Sequence, residues 1–404
     1  MAVGLKEPAG LHPVAGINLA ACSAGLYKTQ RPDLVLMSLA EGSICSAVFT
    51  KNRFCAAPVH IARQHLRESL PRYLIINAGN ANAGTGEQGI KQAVEVCRSL
   101  AETTGCEVAS VLPFSTGVIG EHLPVKRIIN KIPELISTLN ADNWLQVARA
   151  IMTTDTVAKA VSRRVSVEGR DVTITGIAKG SGMIKPDMAT MLAFVATDIT
   201  TDQEVLDVVL NHAVEKSFNR ISVDGDTSTN DACVLVATGK NQCAVKRDHP
   251  GYSAFASAVA EICIDLAQAI VRDGEGATKF ITIDINGGRN SQECLHTAYA
   301  IANSPLVKTA FFASDPNWGR ILAAIGRAGI EDLDISGVNV YLNDVCIVEQ
   351  GMRSPGYSED KGQKIMQQEE ILIRVLLNRG KISETVWTCD LSHEYVRINA
   401  EYRT

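Results

Sequence analysis

A threonine near the middle of the chain, Thr190, stands where a flexible polar loop gives way to an apolar run. The loop before it contains Gly180 and Gly182, which allow sharp bends, and Pro186, which fixes one backbone dihedral angle. Such a loop can strain the peptide bond between Ala189 and Thr190 and hold the threonine hydroxyl over the preceding carbonyl carbon. This arrangement raises the hypothesis of self-cleavage between positions 189 and 190, through an N→O acyl shift and hydrolysis of the resulting ester.

Cleavage at this bond would make Thr190 a chain start that carries its own base. Threonine is a weak nucleophile unless a base takes its proton, and an N-terminal threonine has that base in its α-amine. The pKa of an α-amino group is about 7.7–8.0, so much of the amine is neutral near neutral pH. The same pattern is also typical of a Gly/Pro loop before a buried strand, in which Thr190 does no chemistry.

Two predicted strands bring further polar groups to their ends. Residues 73–77 form the first, which leads into the Gly-rich loop 77–89, and residues 110–114 form the second, which leads into the tripeptide 115–117. The loop lacks both the lysine and the glycine spacing of nucleotide-binding loops, so a tight turn is the simpler interpretation. A hydroxyl beside a flexible backbone N–H, as in the tripeptide, can stabilise an oxyanion, but three residues alone do not establish that role.

Other polar segments allow both structural and functional interpretations. The run 153–156 either caps a turn or touches a ligand, and Glu275, between two glycines, is either a solvated turn residue or a close ligand contact. Residues 224–232 begin like a calcium-binding loop but carry Thr229 and Leu235 where that loop needs glycine and glutamate. We therefore expect no calcium there, and instead a hydrogen-bonded loop around the nucleophile.

Further strands and helices are predicted along the chain. One hairpin is predicted from 161–167 and 172–177, directly before the glycine-containing loop, and a second from 338–342 and 345–349. The motif DPNWGR at 315–320 either contacts a ligand or fixes the start of a helix. Helices are predicted at 90–102, 125–136, 143–152, 202–218, 252–272 and 294–303.

The composition limits the class of protein. The chain has 404 residues, enough for two domains, and its 46% hydrophobic and 21% charged residues are ordinary for a globular enzyme. A net charge of −5 and an aromatic content of 5% disfavour nucleic-acid and anionic-membrane partners. Eleven cysteines without a C-x-x-C pair indicate reduced thiols and no zinc site. No signal segment and no run of about 18 apolar residues are found, so a cytoplasmic location without a membrane span is expected.

The segment KGSGMIKPDMATML, residues 179–192, resembles the cleavage motif of the glutamate N-acetyltransferase/ornithine acetyltransferase family of arginine biosynthesis. Further blocks match the family in the same order over nearly all of the chain, which makes the resemblance very specific. These blocks are INAGNANAGTG (76–86), STGVIG (115–120), IMTTDT (151–156), DGDTSTND (224–231), EGATKF (275–280), DPNWGR (315–320) and INAEYRT (398–404).

The resemblance implies a fold and an assembly. The fold would be α/β, with a layered α/β core of the self-cleaving N-terminal-nucleophile aminopeptidase/ornithine acetyltransferase type and a smaller C-terminal α/β domain. The nucleophile-bearing core would span residues 1–285, and residues 286–404 would form the domain that closes the active site. Cleavage would give chains 1–189 and 190–404, which would interlace and assemble as a heterotetramer of two of each.

The resemblance also implies the reaction. Thr190 would take acetyl from N2-acetyl-L-ornithine and pass it to L-glutamate in a ping-pong transfer, so the partners would be small amino-acid substrates. The Thr116 hydroxyl and the Gly117 N–H would stabilise the oxyanion, and Lys179 would pair with the α-carboxylate that both substrates share. No metal or cofactor is needed, and acetyl-CoA as a second acetyl donor stays open. The residues expected to bind substrate are Thr154 (with Thr153 and Thr156 as close alternatives), Lys179, Thr190, Glu275, Asn399 and Thr404.

Two other functions stay open at this point. An N-terminal-nucleophile aminopeptidase or amidase would use the same Thr190 chemistry on small amides but would release the acyl group to water instead of to glutamate. A non-catalytic amino-acid-binding protein would never cut itself and would therefore stay one intact chain.

Overall fold

The structure is a computed structural model that describes residues 2–27, 29–185 and 191–401. The residues with predicted roles that lie outside this part are Ala189, Thr190 and Thr404. The strands are Ile17–Cys22 (β1), Leu34–Leu39 (β2), Ile44–Phe49 (β3), Tyr73–Asn80 (β4), Val111–Val118 (β5), Lys159–Val167 (β6), Arg170–Lys179 (β7), Leu192–Thr197 (β8), Ile221–Ser222 (β9), Ala232–Ala237 (β10), Phe280–Gly288 (β11), Asn339–Leu342 (β12), Val345–Glu349 (β13), Met352–Arg353 (β14), Glu370–Leu376 (β15) and Ile382–Cys389 (β16).

Helices alternate with these strands, which makes the fold α/β as predicted. The α-helices are Ala57–Glu68 (α1), Gly86–Thr104 (α2), Val125–Ile129 (α3), Ile132–Ser137 (α4), Trp144–Ala150 (α5), Gln203–Lys216 (α6), Tyr252–Arg272 (α7), Ser291–Ala302 (α8), Pro305–Phe312 (α9), Trp318–Gly326 (α10), Glu359–Met366 (α11) and His393–Glu401 (α12). Short 3₁₀ turns lie at Val108–Ser110, Phe218–Arg220 and Ile335–Gly337.

Several helical segments differ from the sequence prediction, each for a physical reason. The single helix expected at 125–136 is wrong in detail, because the chain forms two helices, α3 and α4, there. Pro133 lies in the first turn of α4 and has no N–H with which to continue a preceding helix. Helices α9, α11 and α12 are not predicted from the sequence, because each has only eight or nine residues and so contains too few turns for a clear periodic apolar pattern.

Contacts divide the described residues into two compact units. The large unit comprises 7–219 and 226–270, and the small unit comprises 2–6, 220–225 and 271–401. The domain boundary expected between positions 285 and 286 lies inside β11, so it does not coincide with the division between these units.

The large unit is built around two facing sheets. One sheet has the strand order β1-β2-β4-β5, and the other has the order β3-β10-β8-β7-β6. An apolar core fills the space between the sheets, where the rings of Phe114 on β5 and Phe194 on β8 meet edge to face at 5.0 Å. Strands β8 and β10 are buried along their whole length, which is why both are almost entirely apolar in the sequence, with Thr197 at the end of β8 as the exception.

Helices cover the outer face of each sheet in the large unit. Buried residues of α2, α3 and α4 pack with the outward side chains of the first sheet, such as Leu36 and Ile75. On the second sheet, α7 packs closely over Gly176 of β7, where an added Cβ would lie 3.0 Å from Leu266 and 3.1 Å from Ile262. The large unit therefore has four layers, helix–sheet–sheet–helix, as the predicted layered core requires.

Helix α7 differs from the expectation that no apolar run reaches membrane-spanning length. Its most apolar window of 18 residues has a mean hydropathy of 1.7, which is enough for a span by length and composition. However, 61% of that window is buried inside the protein, and core helices pass the same test. We interpret α7 as a packed core helix.

The small unit has one sheet in the order β14-β13-β12-β15-β11-β16-β9. Buried residues of α8, α9 and α10 pack with its strands in one apolar core. Strand β11 runs parallel to β15 and antiparallel to β16. The loop before β11 and the helix after β16 therefore leave the sheet at the same end.

Strands β4 and β5 of the large unit approach so closely at one end that a side chain has no room there. Gly117 has φ of +130°, and a Cβ at this position would lie 2.3 Å from the carbonyl carbon of Gly79. Gly120, three residues later, also has a positive φ, +85°, but nothing lies within 4 Å of the position its Cβ would take.

We expect Gly117→Ala to lower the free energy of unfolding by at least about 3 kcal/mol, because the new methyl group clashes with backbone that cannot move aside. Gly120→Ala is the matched control. It carries the penalty for a positive φ without the clash, so it should cost about 1–2 kcal/mol. Denaturant titrations of both variants measure the difference, and equal losses would contradict the close approach.

Candidate active site

The residues that precede two parallel strands of the large unit meet beside the predicted cleavage point. In the register of β8 and β10, Leu192 pairs with Ala232, so the preceding residues, Met191 and Asp231, lie side by side. The backbone N–H of Met191 donates to Oδ1 of Asp231 at 2.9 Å. Because Met191 directly follows Thr190 in the chain, this carboxyl group binds the amide that joins positions 190 and 191.

Asn230 ties the same loop to the end of β5. Its Nδ2 donates to the carbonyl oxygens of Ser115, at 2.9 Å, and Ala81, at 2.6 Å. Ser115 directly precedes Thr116 in the chain. The dipeptide 230–231 therefore connects the start of β8 with the strand that carries the predicted oxyanion residues, and the expected hydrogen-bonded loop at 224–232 is present.

The predicted oxyanion residues lie at the end of β5. Thr116 pairs in register with Ala78 of β4, and Gly117 pairs with Gly79. Thr116 is buried, and the close approach of the two strands fixes the backbone at Gly117. This end of β5 is therefore a rigid place for hydrogen-bond donors, which transition-state stabilisation requires.

The loop 77–89 is held by hydrogen bonds between its own residues. The side chain of Asn77 donates to the carbonyl of Asn80 at 2.8 Å, and Oδ1 of Asn80 accepts from the N–H of Asn82 at 2.8 Å. The hydroxyl of Thr85 donates to Oδ1 of Asn82 at 2.9 Å. The loop is thus a tight turn between β4 and α2, in agreement with the simpler interpretation of its sequence.

A buried carboxylate, Asp155, holds the segment that enters the cleavage loop. Its Oδ1 accepts from Nζ of Lys159 at 2.6 Å and from the N–H of Gly180 at 2.7 Å, and its Oδ2 accepts from the N–H of Thr153 at 2.9 Å. Burial alone raises the pKa of Asp155, but the ammonium groups of Lys159 and Lys179 and these hydrogen bonds hold it well below its usual value. The group is therefore ionised at physiological pH.

Two predicted substrate residues lie around this carboxylate. Lys179 is the last residue of β7, is buried, and its charge acts on both Asp155 and Asp231. The hydroxyl of Thr154 lies 3.2 Å from the hydroxyl of Ser181, in the loop that leads to the cleavage point. These groups form one buried polar cluster in the large unit.

In the small unit, the predicted substrate residues Glu275 and Asn399 are hydrogen-bonded. Nδ2 of Asn399, on α12, donates to Oε2 of Glu275, in the loop before β11, at 2.7 Å. Gly276 permits this approach, because it has φ of +70° and a Cβ there would lie 2.6 Å from the backbone nitrogen of Tyr395. The common end of β11 and β16 thus brings two residues together that are 124 positions apart.

The motif DPNWGR has a structural role in the small unit. The side chain of Asn317 accepts from the N–H of Arg320 and so caps α10, which begins at Trp318. The guanidinium group of Arg320 donates to the carbonyl of Leu306 on α9 at 2.7 Å. These contacts favour the structural alternative for this motif, a fixed helix start.

The structure thus places the described site residues in two groups, one in each unit, while Ala189, Thr190 and Thr404 lie outside the described residues. Sequence reasoning gave no individual role to four residues that organise the large-unit group. The four residues are Asp155, Lys159, Asn230 and Asp231. Asp155, Asn230 and Asp231 lie in motifs that match the family and could have been noticed for that reason, whereas nothing in the sequence marks Lys159.

Lys159→Met should lower the free energy of unfolding by about 3–5 kcal/mol, because it removes the closest ammonium group from the buried carboxylate of Asp155. Lys131 is the matched control, since its ion pair with Glu134 has the same N–O distance of 2.6 Å but is exposed to solvent. Lys131→Met should therefore lose much less stability in the same denaturant titration. Similar losses for the two variants would contradict the buried pair.

The stability contributed by Asp155 should also depend on pH. Folding lowers the pKa of this group, so its contribution is fully present above the unfolded-state pKa of about 3.9. The contribution is lost as pH falls through the lower pKa of the folded state. The stability difference between the native protein and Lys159→Met should accordingly shrink below about pH 4.

Comparison with known proteins gives matches over the full chain. The family model described as "ArgJ family" matches residues 18–404. The arginine biosynthesis bifunctional protein ArgJ of Pseudomonas syringae pv. tomato is 54% identical over 406 residues, covering 100% of both chains. The protein of the same description from Pseudomonas fluorescens is also 54% identical, with 100% of both chains covered.

Two solved structures are also similar in sequence. The arginine biosynthesis bifunctional protein argJ of Bacillus halodurans is 40% identical, and the match covers 52% of this chain and 98% of that chain with a TM-score of 0.49. Ornithine acetyltransferase of Mycobacterium tuberculosis, in complex with ornithine, is 27% identical over 43% of this chain and 92% of that chain, with a TM-score of 0.37. Both TM-scores are low, so the fold described above rests on the structure of this chain. The family model and the full-length relatives show that the chain belongs to the ArgJ family of arginine biosynthesis.

Proposed function

We propose that the protein transfers an acetyl group from N2-acetyl-L-ornithine to L-glutamate, with an acetyl ester of Thr190 as the intermediate. Membership of the ArgJ family makes the chain an acetyltransferase of arginine biosynthesis. The two Pseudomonas relatives, each 54% identical over the full length, are described as bifunctional arginine biosynthesis proteins. The products are L-ornithine and N-acetyl-L-glutamate.

The observation that carries the proposal is a pair of hydrogen bonds, one made by each of residues 230 and 231, that reach β5 and the residue before β8. Asp231 binds the N–H of Met191, and Asn230 binds the carbonyl of Ser115. A nucleophile at position 190 needs oxyanion donors close by, and these bonds join the residue after 190 to the residue before Thr116. That connection supports Thr116 and Gly117 as the donors for an intermediate on Thr190.

Self-cleavage is the first step. The Thr190 hydroxyl adds to the carbonyl carbon of Ala189, and the C–N bond breaks as the nitrogen takes the hydroxyl proton. Water then hydrolyses the ester, which leaves a carboxylate on Ala189 and a free amine on Thr190. The bond from Gly180 to the buried carboxylate of Asp155 supports this step, because it fixes the loop that enters the cleavage point.

Acetyl transfer follows in two half-reactions. The free amine of Thr190 takes the hydroxyl proton as the oxygen attacks the acetyl carbonyl, and Thr116 and Gly117 stabilise the oxyanion. The amine then returns the proton to the leaving nitrogen of ornithine, and the acetyl ester remains. The amine of glutamate attacks this ester and leaves as N-acetyl-L-glutamate, which regenerates the hydroxyl.

Substrate binding rests on a shared group, because donor and acceptor carry the same α-carboxylate and side chains of opposite charge. Lys179 binds that carboxylate as a point charge, and Thr154, whose hydroxyl contacts Ser181 at 3.2 Å, lines the same cluster. Glu275, Asn399 and Thr404 complete the proposed set of substrate-binding residues. The hydrogen bond of 2.7 Å between Glu275 and Asn399 supports treating them together.

The remaining parts of the proposal concern assembly and location. The chains 1–189 and 190–404 form a heterotetramer of two of each, the enzyme works in the cytoplasm, and nucleic acid or membrane is not a partner. The reaction uses no metal and no resident cofactor, since every proton transfer above runs through Thr190 itself. Acetyl-CoA is a candidate second donor, to be tested directly.

Denaturing electrophoresis and mass spectrometry test the cleavage. The wild-type protein should give two chains with Thr190 at the start of the second, whereas Thr190→Ala should stay intact and lose at least about 1,000-fold in kcat/KM. Thr190→Ser is the matched control, because it keeps a hydroxyl and should still be cut. An active wild-type enzyme found as one unbroken chain would defeat the proposal.

The fate of the acetyl group distinguishes an acetyltransferase from an amidase that hydrolyses the same substrate. With N2-acetyl-L-ornithine alone, ornithine release should stop at about one equivalent per site and an acetyl group should accumulate on Thr190. Added glutamate should restore turnover, with N-acetyl-L-glutamate matching ornithine. Steady release of acetate that glutamate does not change would identify an amidase instead. Free CoA, measured in parallel with acetyl-CoA as donor, shows whether the enzyme also uses that donor.

A further inference from the structure

The buried carboxyl group of Asp231 has one oxygen that the proposed mechanism does not yet use. Asp231 is 1% exposed, and Oδ1 accepts the hydrogen bond from Met191. Among the described residues, Oδ2 has no hydrogen-bond partner. An unpartnered buried oxygen on a carboxyl group is costly, so it needs an explanation.

The position of Asp231 is fixed by its neighbours. Its carbonyl accepts from the N–H of Thr50 at 3.0 Å, and the N–H of Ala232 donates to the carbonyl of Met191 at 3.1 Å. These bonds hold the backbone of Asp231 beside the start of β8, and the hydrogen bond from Met191 holds its carboxyl group there. In any polypeptide, the nitrogens of consecutive residues lie roughly 3 Å apart. The α-amine that cleavage creates on Thr190 is therefore separated from this bound nitrogen by only the Cα and the carbonyl carbon of one residue.

We propose that the carboxylate of Asp231 accepts a hydrogen bond from the α-amine that cleavage creates on Thr190, and so positions this amine as the base for the Thr190 hydroxyl. This inference rests on the proposed function. An amine has one lone pair, which must point at the hydroxyl if the amine is to take its proton. An acceptor for an amine N–H fixes that orientation, as the third group does in other nucleophile–base pairs.

The proton balance is simple, because Asp231 takes no proton in the reaction. The Thr190 hydroxyl gives its proton to the amine, which becomes an ammonium group beside the carboxylate. The ammonium group then returns the proton to the leaving nitrogen of ornithine. Asp231 stabilises the charged form that exists between these two steps and is therefore a positioning residue.

The electrostatics of the cluster agree with this role. Burial raises the pKa of Asp231 well above its usual value, while the N–H of Met191, the charge of Lys179 and the nearby hydroxyl groups of Thr50 and Ser228 lower it. Among the described residues, the thiol of Cys55, before α1, also interacts with Asp231. A carboxyl group placed in this way gains strongly from a new cation beside it, which is what the α-amine supplies after cleavage.

The test is Asp231→Asn in the full-length protein, which keeps an oxygen for the N–H of Met191 but removes the negative charge. We expect kcat to fall at least about 100-fold with little change in KM, because the base is misaligned while substrate contacts stay. Asp248→Asn is the matched control, since it makes the same change in charge at an exposed loop position. Its kcat and KM should match those of the native enzyme.

The pH profile separates positioning from a structural role. The amine must be neutral to act as a base, so activity rises with pH through the pKa of the amine. The carboxylate favours the ammonium form and raises that pKa, so Asp231→Asn should move the acidic limb of kcat/KM to lower pH by about one unit or more. A variant with kcat within about threefold of the native value and an unmoved limb would overturn the inference.

Self-cleavage must be measured separately from acetyl transfer, because cleavage uses the hydroxyl of Thr190 before the free amine exists. If Asp231→Asn stays uncut, the mature form is made by co-expressing chains 1–189 and 190–404, with the native sequence prepared in the same way. The same kinetic and pH criteria then decide the role. A native enzyme that forms no acetyl-Thr190 would defeat the proposed function, whatever Asp231→Asn does.

Discussion

The parallel register of β8 and β10 is the constraint on which the candidate active site depends. Both strands are buried along their whole length, and the hydroxyl of Thr197 lies at the far end of β8, so neither strand offers a hydroxyl, amide or charged side chain near the cleavage loop. Polar groups must come from the residues that precede the strands. Because parallel strands start at the same edge, those residues are Met191 on one strand and Asp231 on the other, and Asn230 extends the contact to β5.

Asp155 and Asp231 are buried carboxyl groups of the large unit, and their different surroundings fit different roles. Asp155 has an ammonium group at 2.6 Å and accepts two backbone hydrogen bonds, so its charge is balanced within the fold. Asp231 accepts one backbone hydrogen bond, and its pKa is raised by burial. Structural ion pairs and functional groups both have shifted pKa values, so the partners of each group decide its role. Asp155 fits a structural role, and Asp231 fits the positioning role proposed above.

The sequence predicted local features of this fold better than contacts between distant segments. Periodic apolar runs located the helices and strands, and the turn residues at 168–171 located the hairpin of β6 and β7. Pro133 divided a helix that periodicity alone had joined, and α12, with nine residues, is too short to show a clear periodic pattern. The contact between Met191 and Asp231 spans 40 positions and depends on strand register, which one sequence does not contain. Lys159 looks like any strand lysine until the fold encloses it with Asp155.

The role proposed for Lys179 fits a cluster that serves two substrates of opposite side-chain charge. A buried ammonium group is costly unless carboxylates accompany it, and Lys179 has Asp155 and Asp231 within electrostatic reach. The charge can therefore stay inside the protein, and in the proposed function it binds the α-carboxylate that ornithine and glutamate derivatives have in common. When the protein binds this shared α-carboxylate, the acetylated nitrogen of the donor and the free amine of the acceptor are each attached to the carbon that bears the bound carboxylate. One ester on Thr190 can then be formed from the first and consumed by the second without a second anchoring site for the α-carboxylate.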